Sequence, residues 1–158
     1  LDTLIQYVDN WDTGGQNQVV YENTDLAFSP NLTWAAKINY KYNKNTNFLL
    51  NTKYVGDQYI DNTSSEKRML DSYMISNFQI DYHFKSSIFT KAKISFLVNN
   101  LFDTKYVNNA WIYRYISENS DPREYDDYTT QGDGNIYDMA GYFPQATRNY
   151  LLGLTLGF

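Results

Sequence analysis

Cysteine is absent from the 158 residues, histidine occurs once and proline three times. Without cysteine there is no disulfide framework and no thiolate metal site. His83 is the one imidazole, and no G-x-S-x-G turn accompanies it. Nucleophilic catalysis therefore has no visible machinery, and neither an enzyme activity nor a cofactor is expected. No run of 18 apolar residues exists either, so no transmembrane helix is expected. Positive charge is outnumbered, 13 Lys and Arg against 18 Asp and Glu, and the net −5 argues against nucleic acid as a partner.

Aromatic side chains, by contrast, make up 18% of the chain and include 16 Tyr. That suits a wall with lipid on one side and water or headgroups at its ends, since tyrosine has an apolar body and a polar tip. Low mean hydropathy is compatible with such a wall, because alternate strand residues face a polar lumen. The clearest segment is Tyr142–Phe158, YFPQATRNYLLGLTLGF. From Tyr150 onward the even positions are Tyr150, Leu152, Leu154, Leu156 and Phe158, while the odd ones are Leu151, Gly153, Thr155 and Gly157. A period of two places the large apolar groups on one face of a strand.

The same period recurs upstream. Leu1–Trp11 reads as a strand and Asp12–Asn23 as a polar loop broken at Gly14-Gly15. From Leu26 to Tyr42 even positions are mostly apolar, predicting one long strand with Leu32, Trp34, Ile38 and Tyr40 on the lipid side. Lys37, Asn39 and Lys41 would then face the lumen, with Thr155 of the last strand. Asn43-Lys44-Asn45 predicts a tight turn, Phe48–Tyr59 a strand, and Asp61–Arg68 a hydrophilic loop. Another strand runs from near Leu70 to Phe84, with Lys85–Thr90 as a short connection. In Lys91–Tyr115 the outward parity changes across Asn99–Asp103, from Phe96 and Val98 to Trp111 and Tyr113. One extra residue in a β-bulge would do this, as would a hairpin turn at Asn99–Lys105. Ser117–Gly141 has no usable period and reads as the longest loop. Long and short connections thus alternate, as in outer-membrane barrels.

Gly153, Leu156 and Phe158 resemble the glycine-x-x-apolar-x-aromatic ending of bacterial outer-membrane barrels, the signal read by the barrel-assembly machinery. Val98–Tyr106 (VNNLFDTKY) resembles a segment near the C-terminus of TonB-dependent outer-membrane receptors. Ser72–Tyr82 (SYMISNFQIDY) and Lys53–Asn62 (KYVGDQYIDN) are similar to the strands before it. The wording NTDLAFSP and DNTSSEKRMLDSY is most similar to receptors of Bacteroidetes-type bacteria. The resemblance implies an all-β, antiparallel transmembrane barrel of roughly 22 strands with a plugged lumen. It also favours the bulge over the hairpin at Asn99–Asp103.

Residues 1–158 would then be the C-terminal part of the barrel domain, supplying about the last six strands. The chain begins at Leu1 within an alternating pattern, so the rest of the barrel, the plug and any export signal are expected in a preceding part. The resemblance further implies a bacterial outer-membrane location and TonB-dependent active uptake of a scarce solute: an iron–siderophore, haem, vitamin, glycan or peptide. Its partners would be outer-membrane lipid, the plug, TonB, the barrel-assembly machinery and the solute. Two other classes fit the strand pattern, a passive porin or structural barrel and a soluble secreted β-sandwich. Within Ser117–Gly141, Asp133, Asn135 and Asp138 are the only weak metal-ligand candidates, and a solvated acidic loop is the plainer reading. Tyr125, Tyr128 and Tyr137 are candidates for ligand contact at the outer mouth.

Overall fold

A computed structural model describes every residue from Leu1 to Phe158. In chain order its strands are β1 (Thr3–Asn10), β2 (Gly15–Glu22), β3 (Thr33–Lys41), β4 (Thr46–Val55), β5 (Gln58–Tyr59), β6 (Met69–Leu70), β7 (Tyr73–His83), β8 (Lys91–Asn99), β9 (Val107–Ile116), β10 (Thr129–Gln131), β11 (Ile136–Pro144) and β12 (Asn149–Gly157). The one helical turn is a 3₁₀ segment at Pro122–Glu124, and no helix is long and apolar enough to cross a membrane. The all-β class is as expected.

The chain divides into two compact units. One comprises Leu32–Gly56, Ser72–Tyr106 and Gln145–Phe158, and is called the long-strand unit below. Its five strands lie in the order β12-β8-β7-β4-β3, all antiparallel. Each is 9 to 11 residues long. Register aligns the alternating residues into rows: Tyr40, Phe48, Ile80, Phe96 and Leu152 form one, and Ile38, Leu50, Phe78, Val98 and Tyr150 the next. Tyr40 stacks with Phe48 within the first row at 6.4 Å, and Phe48 stacks diagonally with Phe78 of the next row at 6.2 Å. The turn at Asn43–Asn45 forms as expected: the Asn43 side-chain oxygen accepts from the Asn45 and Thr46 amides, and Tyr42 N–H donates to Thr46 O.

The other unit, the short-strand unit, comprises Leu1–Asn31, Asp57–Asp71 and Val107–Pro144. Its main sheet runs β10-β11-β9-β1-β2, and β5 pairs with β6 separately. Two small cores support it: Val8, Ile116 and Ile136 beneath the sheet, and Ile60, Leu70 and Ala110 beside the β5–β6 pair.

Five expectations need correction. Asp12–Asn23 is not a loop: Gly15–Glu22 is β2, paired with β1 across a turn at Trp11–Gly14. Leu26–Leu32 does not extend β3, because Phe28 sits at φ 54°, which no strand accommodates. Ser117–Gly141 contains β10 and the first residues of β11. At Asn99–Asp103 neither a hairpin nor a one-residue bulge occurs. β8 and β9 do not pair, and Asn100 (φ 50°) and Asp103 (φ 57°) turn the chain between them. Asn100 holds this turn by donating to the Thr104 and Ala146 carbonyls while its own oxygen accepts from Thr104 N–H. The pairing is also not wholly antiparallel. Asp9 and Asn10 meet Tyr115 and Ile116 in a short parallel ladder, extended by Trp11 N–H donating to Ile116 O.

Candidate functional site

The long-strand unit presents two unlike faces. Trp34, Ile38 and Tyr40 share a face, by register, with Leu152, Leu154 and Leu156. Lys37, Asn39 and Lys41 share the other with Thr155. Leu32, expected with the first group, lies just before β3. The apolar face has no cover: Leu152 is 77% exposed, Leu154 62% and Ile38 61%. An apolar surface of this extent requires a partner or a lipid environment. On the opposite face Asp81 accepts from Gln79 Nε2 at 2.8 Å and Ser95 Oγ at 2.6 Å, and lies 3.6 Å from Lys93 Nζ. The alternation is incomplete, because Leu49, Leu97 and Leu151 lie in a row with Asn39 and Gln79 on the polar face.

The short-strand unit holds a buried charge cluster that sequence reasoning missed. Arg68 and Arg114 are 1% and 5% exposed. Asp138 bridges them, with Oδ2 2.8 Å from Arg68 Nη1 and Oδ1 3.0 Å from Arg114 Nε. Asp133 Oδ2 accepts from both guanidinium groups, at 3.3 and 3.1 Å. Arg68 also meets Asp61 Oδ2 at 2.9 Å and Thr63 Oγ1 at 2.6 Å, and Arg114 donates to Gln6 Oε1 and Tyr21 Oη, each at 2.6 Å. Burial pulls the Arg114 guanidinium down, but the Tyr21 and Asp138 hydrogen bonds outweigh it and hold it above its ordinary value. Gly132 lies against the cluster, where a Cβ would stand 2.8 Å from Asp138 Oδ1. The signal available in sequence was parity: Arg114 shares its strand face with Ala110, Ile112 and Ile116, so a charge there needed a partner.

On the opposite face of that sheet Trp11 stacks on Tyr115 at 3.9 Å, and Tyr115 on Tyr137 at 6.0 Å. Tyr113 Oη donates to Asp9 at 2.7 Å, a bond that with Gln16 holds the Asp9 carboxyl below its usual value. Asp12 caps the turn after β9 by accepting from Glu118 N–H at 2.6 Å and from Asn119 N–H and Nδ2, and its carboxyl is lowered chiefly by the Glu118 amide.

The candidate residues fall in different settings. Asp133 and Asp138 hold the two arginines described above, and Asn135 Nδ2 donates to Glu118, so the three share no ligand cage. No group of carboxylates or imidazoles in the chain is arranged to hold a metal ion. Tyr125 and Tyr128 are exposed, at 68% and 74%, whereas Tyr137 is buried in β11 beneath Arg123. Gly153 pairs with Ser95, and a Cβ there would meet only ordinary contacts, so packing does not demand glycine. Leu156 pairs with buried Ala92, and the Phe158 ring meets Phe89 edge-on at 5.2 Å. His83 ends β7 opposite Lys93.

No protein-family model matches the sequence, and no curated protein matches it. Among solved structures, the fold is similar to that of the ferric citrate transporter FecA in its unliganded form, with a TM-score of 0.51 and 22% identity. The match covers 88% of this chain and 19% of that one, so the chain spans about a fifth of FecA's length. At this identity the likeness is one of fold: a barrel-like arrangement of β-strands in a transporter.

Proposed function

We propose that this chain is a wall segment of a TonB-dependent outer-membrane receptor, a non-enzymatic transporter that takes up a scarce solute. The observation that carries the reading is the long-strand unit: five antiparallel strands with one uncovered apolar face and one polar face. Strands of 9 to 11 residues are what a tilted β-strand needs to cross the hydrocarbon core. The free edges of β3 and β12 would be costly in lipid, so the reading includes further strands that complete a barrel, together with a plug in its lumen. The fold likeness to FecA supports the same reading. On a soluble β-sandwich reading the apolar face would need a second sheet against it, and none covers it here.

In this scheme Trp34, Ile38, Leu152 and Leu154 face lipid, and Lys37, Asn39, Lys41 and Thr155 face the lumen. The short-strand unit supplies outer loops, whose exposed Tyr125 and Tyr128 contact solute. Gly153, Leu156 and Phe158 form the signal for the barrel-assembly machinery, and the NTDLAFSP and DNTSSEKRMLDSY wording carries the Bacteroidetes-type assignment. The test is fractionation and uptake in the source bacterium. The full-length protein should remain in carbonate-washed outer membranes, and solute-dependent growth should be lost equally on deleting its gene or tonB. Recovery in the soluble fraction would refute the membrane reading.

A further inference from the structure

Charge is divided sharply between the two units. The long-strand unit carries nine Lys and Arg against two acids, Asp81 and Asp103. The other unit carries the remaining four basic residues and sixteen acids. A chain of net −5 thus contains a sheet with an excess of seven positive charges. On the strands, Asp81 is the one carboxylate on the polar face, and Lys93 lies against it at 3.6 Å.

Lys37, Lys41, Lys53 and Lys91 of the same face make no ion pair, and of these Lys37 and Lys53 lie together. Lys37 pairs with Asn51 and Ala35 with Lys53, so the two ammonium stems are diagonal neighbours on adjacent strands. Such neighbours lie about 7–8 Å apart, within reach of one another's long side chains. Neither makes an ion pair, and both are exposed. They flank a cavity of about 280 Å³ whose other lining includes Asn51, Asn77, Ala35 and Ile75. Asn77 spends its side-chain oxygen on Asn100 N–H, which leaves its Nδ2 as a donor. The cavity therefore offers two ammonium groups and amide donors and no carboxylate acceptor. Two like charges side by side repel unless something negative lies between them.

We propose that the Lys37–Asn51–Lys53–Asn77 cavity binds a small solute carrying two or more anionic oxygen groups, carboxylates or phosphates. The proposal rests on reading this face as the solute side of a transporter wall. Lysine ammonium groups act as mobile point charges on such groups, and the amides add directional hydrogen bonds. Ala35 and Ile75 add apolar lining, and a volume of about 280 Å³ suits a compact solute.

The test uses the full-length protein in detergent, with pyrophosphate and tricarballylate as the two probes. Acetylation of each lysine is followed by mass spectrometry. Either probe should protect Lys37 and Lys53 several-fold while leaving Lys44, in the β3–β4 turn, unprotected. Protection by pyrophosphate alone would assign the site to phosphates, and protection by tricarballylate alone to carboxylates. Lys37→Gln and Lys53→Gln should each weaken calorimetric binding about five- to tenfold, with the steep salt dependence of a charged site. Lysines equally reactive with and without both probes would overturn the proposal, as would lysines already shielded before either is added. Outer-membrane fractionation of the cells before solubilisation reports separately on the transporter reading. A membrane-resident protein whose lysines ignore both probes refutes the anion site alone.

Discussion

Replacing Asp138 by Asn removes one charge from the centre of the arginine cluster and leaves its shape almost unchanged. Asp138 is 4% exposed at its side chain and accepts from both Arg68 Nη1 and Arg114 Nε. With the amide in place, two buried guanidinium groups lose the more buried of their two shared counter-ions. Breaking a buried ion pair from one side costs about 3–5 kcal/mol. The same change at Asp133 touches the same two arginines, but that side chain is 48% exposed. Solvent screening reduces its expected cost to about 0–1 kcal/mol. The comparison isolates burial from partner identity. The chain forms two compact units, so its global unfolding is not expected to be two-state and a local reporter is needed. Hydrogen exchange supplies one: Ile60 N–H donates to Arg68 O at 3.0 Å and Arg68 N–H to Ser65 O at 2.9 Å. If opening of the Asp57–Asp71 segment requires release of Arg68, Asp138→Asn should speed exchange at these amides by about two to four orders of magnitude. Asp133→Asn should change it by less than about tenfold. Equal effects of the two substitutions, or none from Asp138→Asn, would refute the view that this cluster latches the segment.

Two further outcomes follow from side-chain geometry. Gly141 pairs with Trp111, and a Cβ there would overlap the indole nitrogen. Gly141→Ala should therefore displace the ring, read as a shift in the Trp111 emission obtained by subtracting the spectrum of a Trp111→Phe variant. The Asp12 carboxyl is held low by the Glu118 amide, so its capping contributes stability above the unfolded carboxylate value of about 3.9 and loses it as pH falls through the lower folded value. The Glu118 and Asn119 amides should stay protected above the ordinary carboxylate value and lose protection only as pH falls below it, and Asp12→Asn should remove that pH dependence.

The parts of this structure legible in the sequence are those fixed by the period of two. β3, β4, β7, β8 and β12 each carry large side chains on one parity, so their faces follow from the residues alone. β2 was invisible because Gln16, Asn17 and Gln18 are polar on both faces; only pairing with β1 makes GQNQVVYE a strand. β11 was hidden for the opposite reason. Both faces of its first half are buried, Tyr137 against Tyr115 on one side and Asp138 against Arg114 on the other, so no alternation in polarity marks it. The charge cluster joins residues 70 and 24 positions apart, with Arg68 and Asp138 in segments that read as polar loops and Arg114 on a strand. Charge segregation was masked in the same way, since the chain's net −5 averages over two units of opposite sign.

Which face of the long-strand unit meets lipid decides between a membrane wall and any other reading of this sheet. The chain has no cysteine, so single-cysteine variants at Lys37, Ile38, Leu154 and Thr155 carry one label each. In intact outer membranes, a lipid-soluble maleimide quenched from the bilayer should label Ile38→Cys and Leu154→Cys, and a water-soluble maleimide should label Lys37→Cys and Thr155→Cys. The alternation Lys37/Ile38 and Leu154/Thr155 makes neighbours in sequence opposite in outcome. Equal labelling of adjacent positions by either reagent would contradict the two-faced membrane wall.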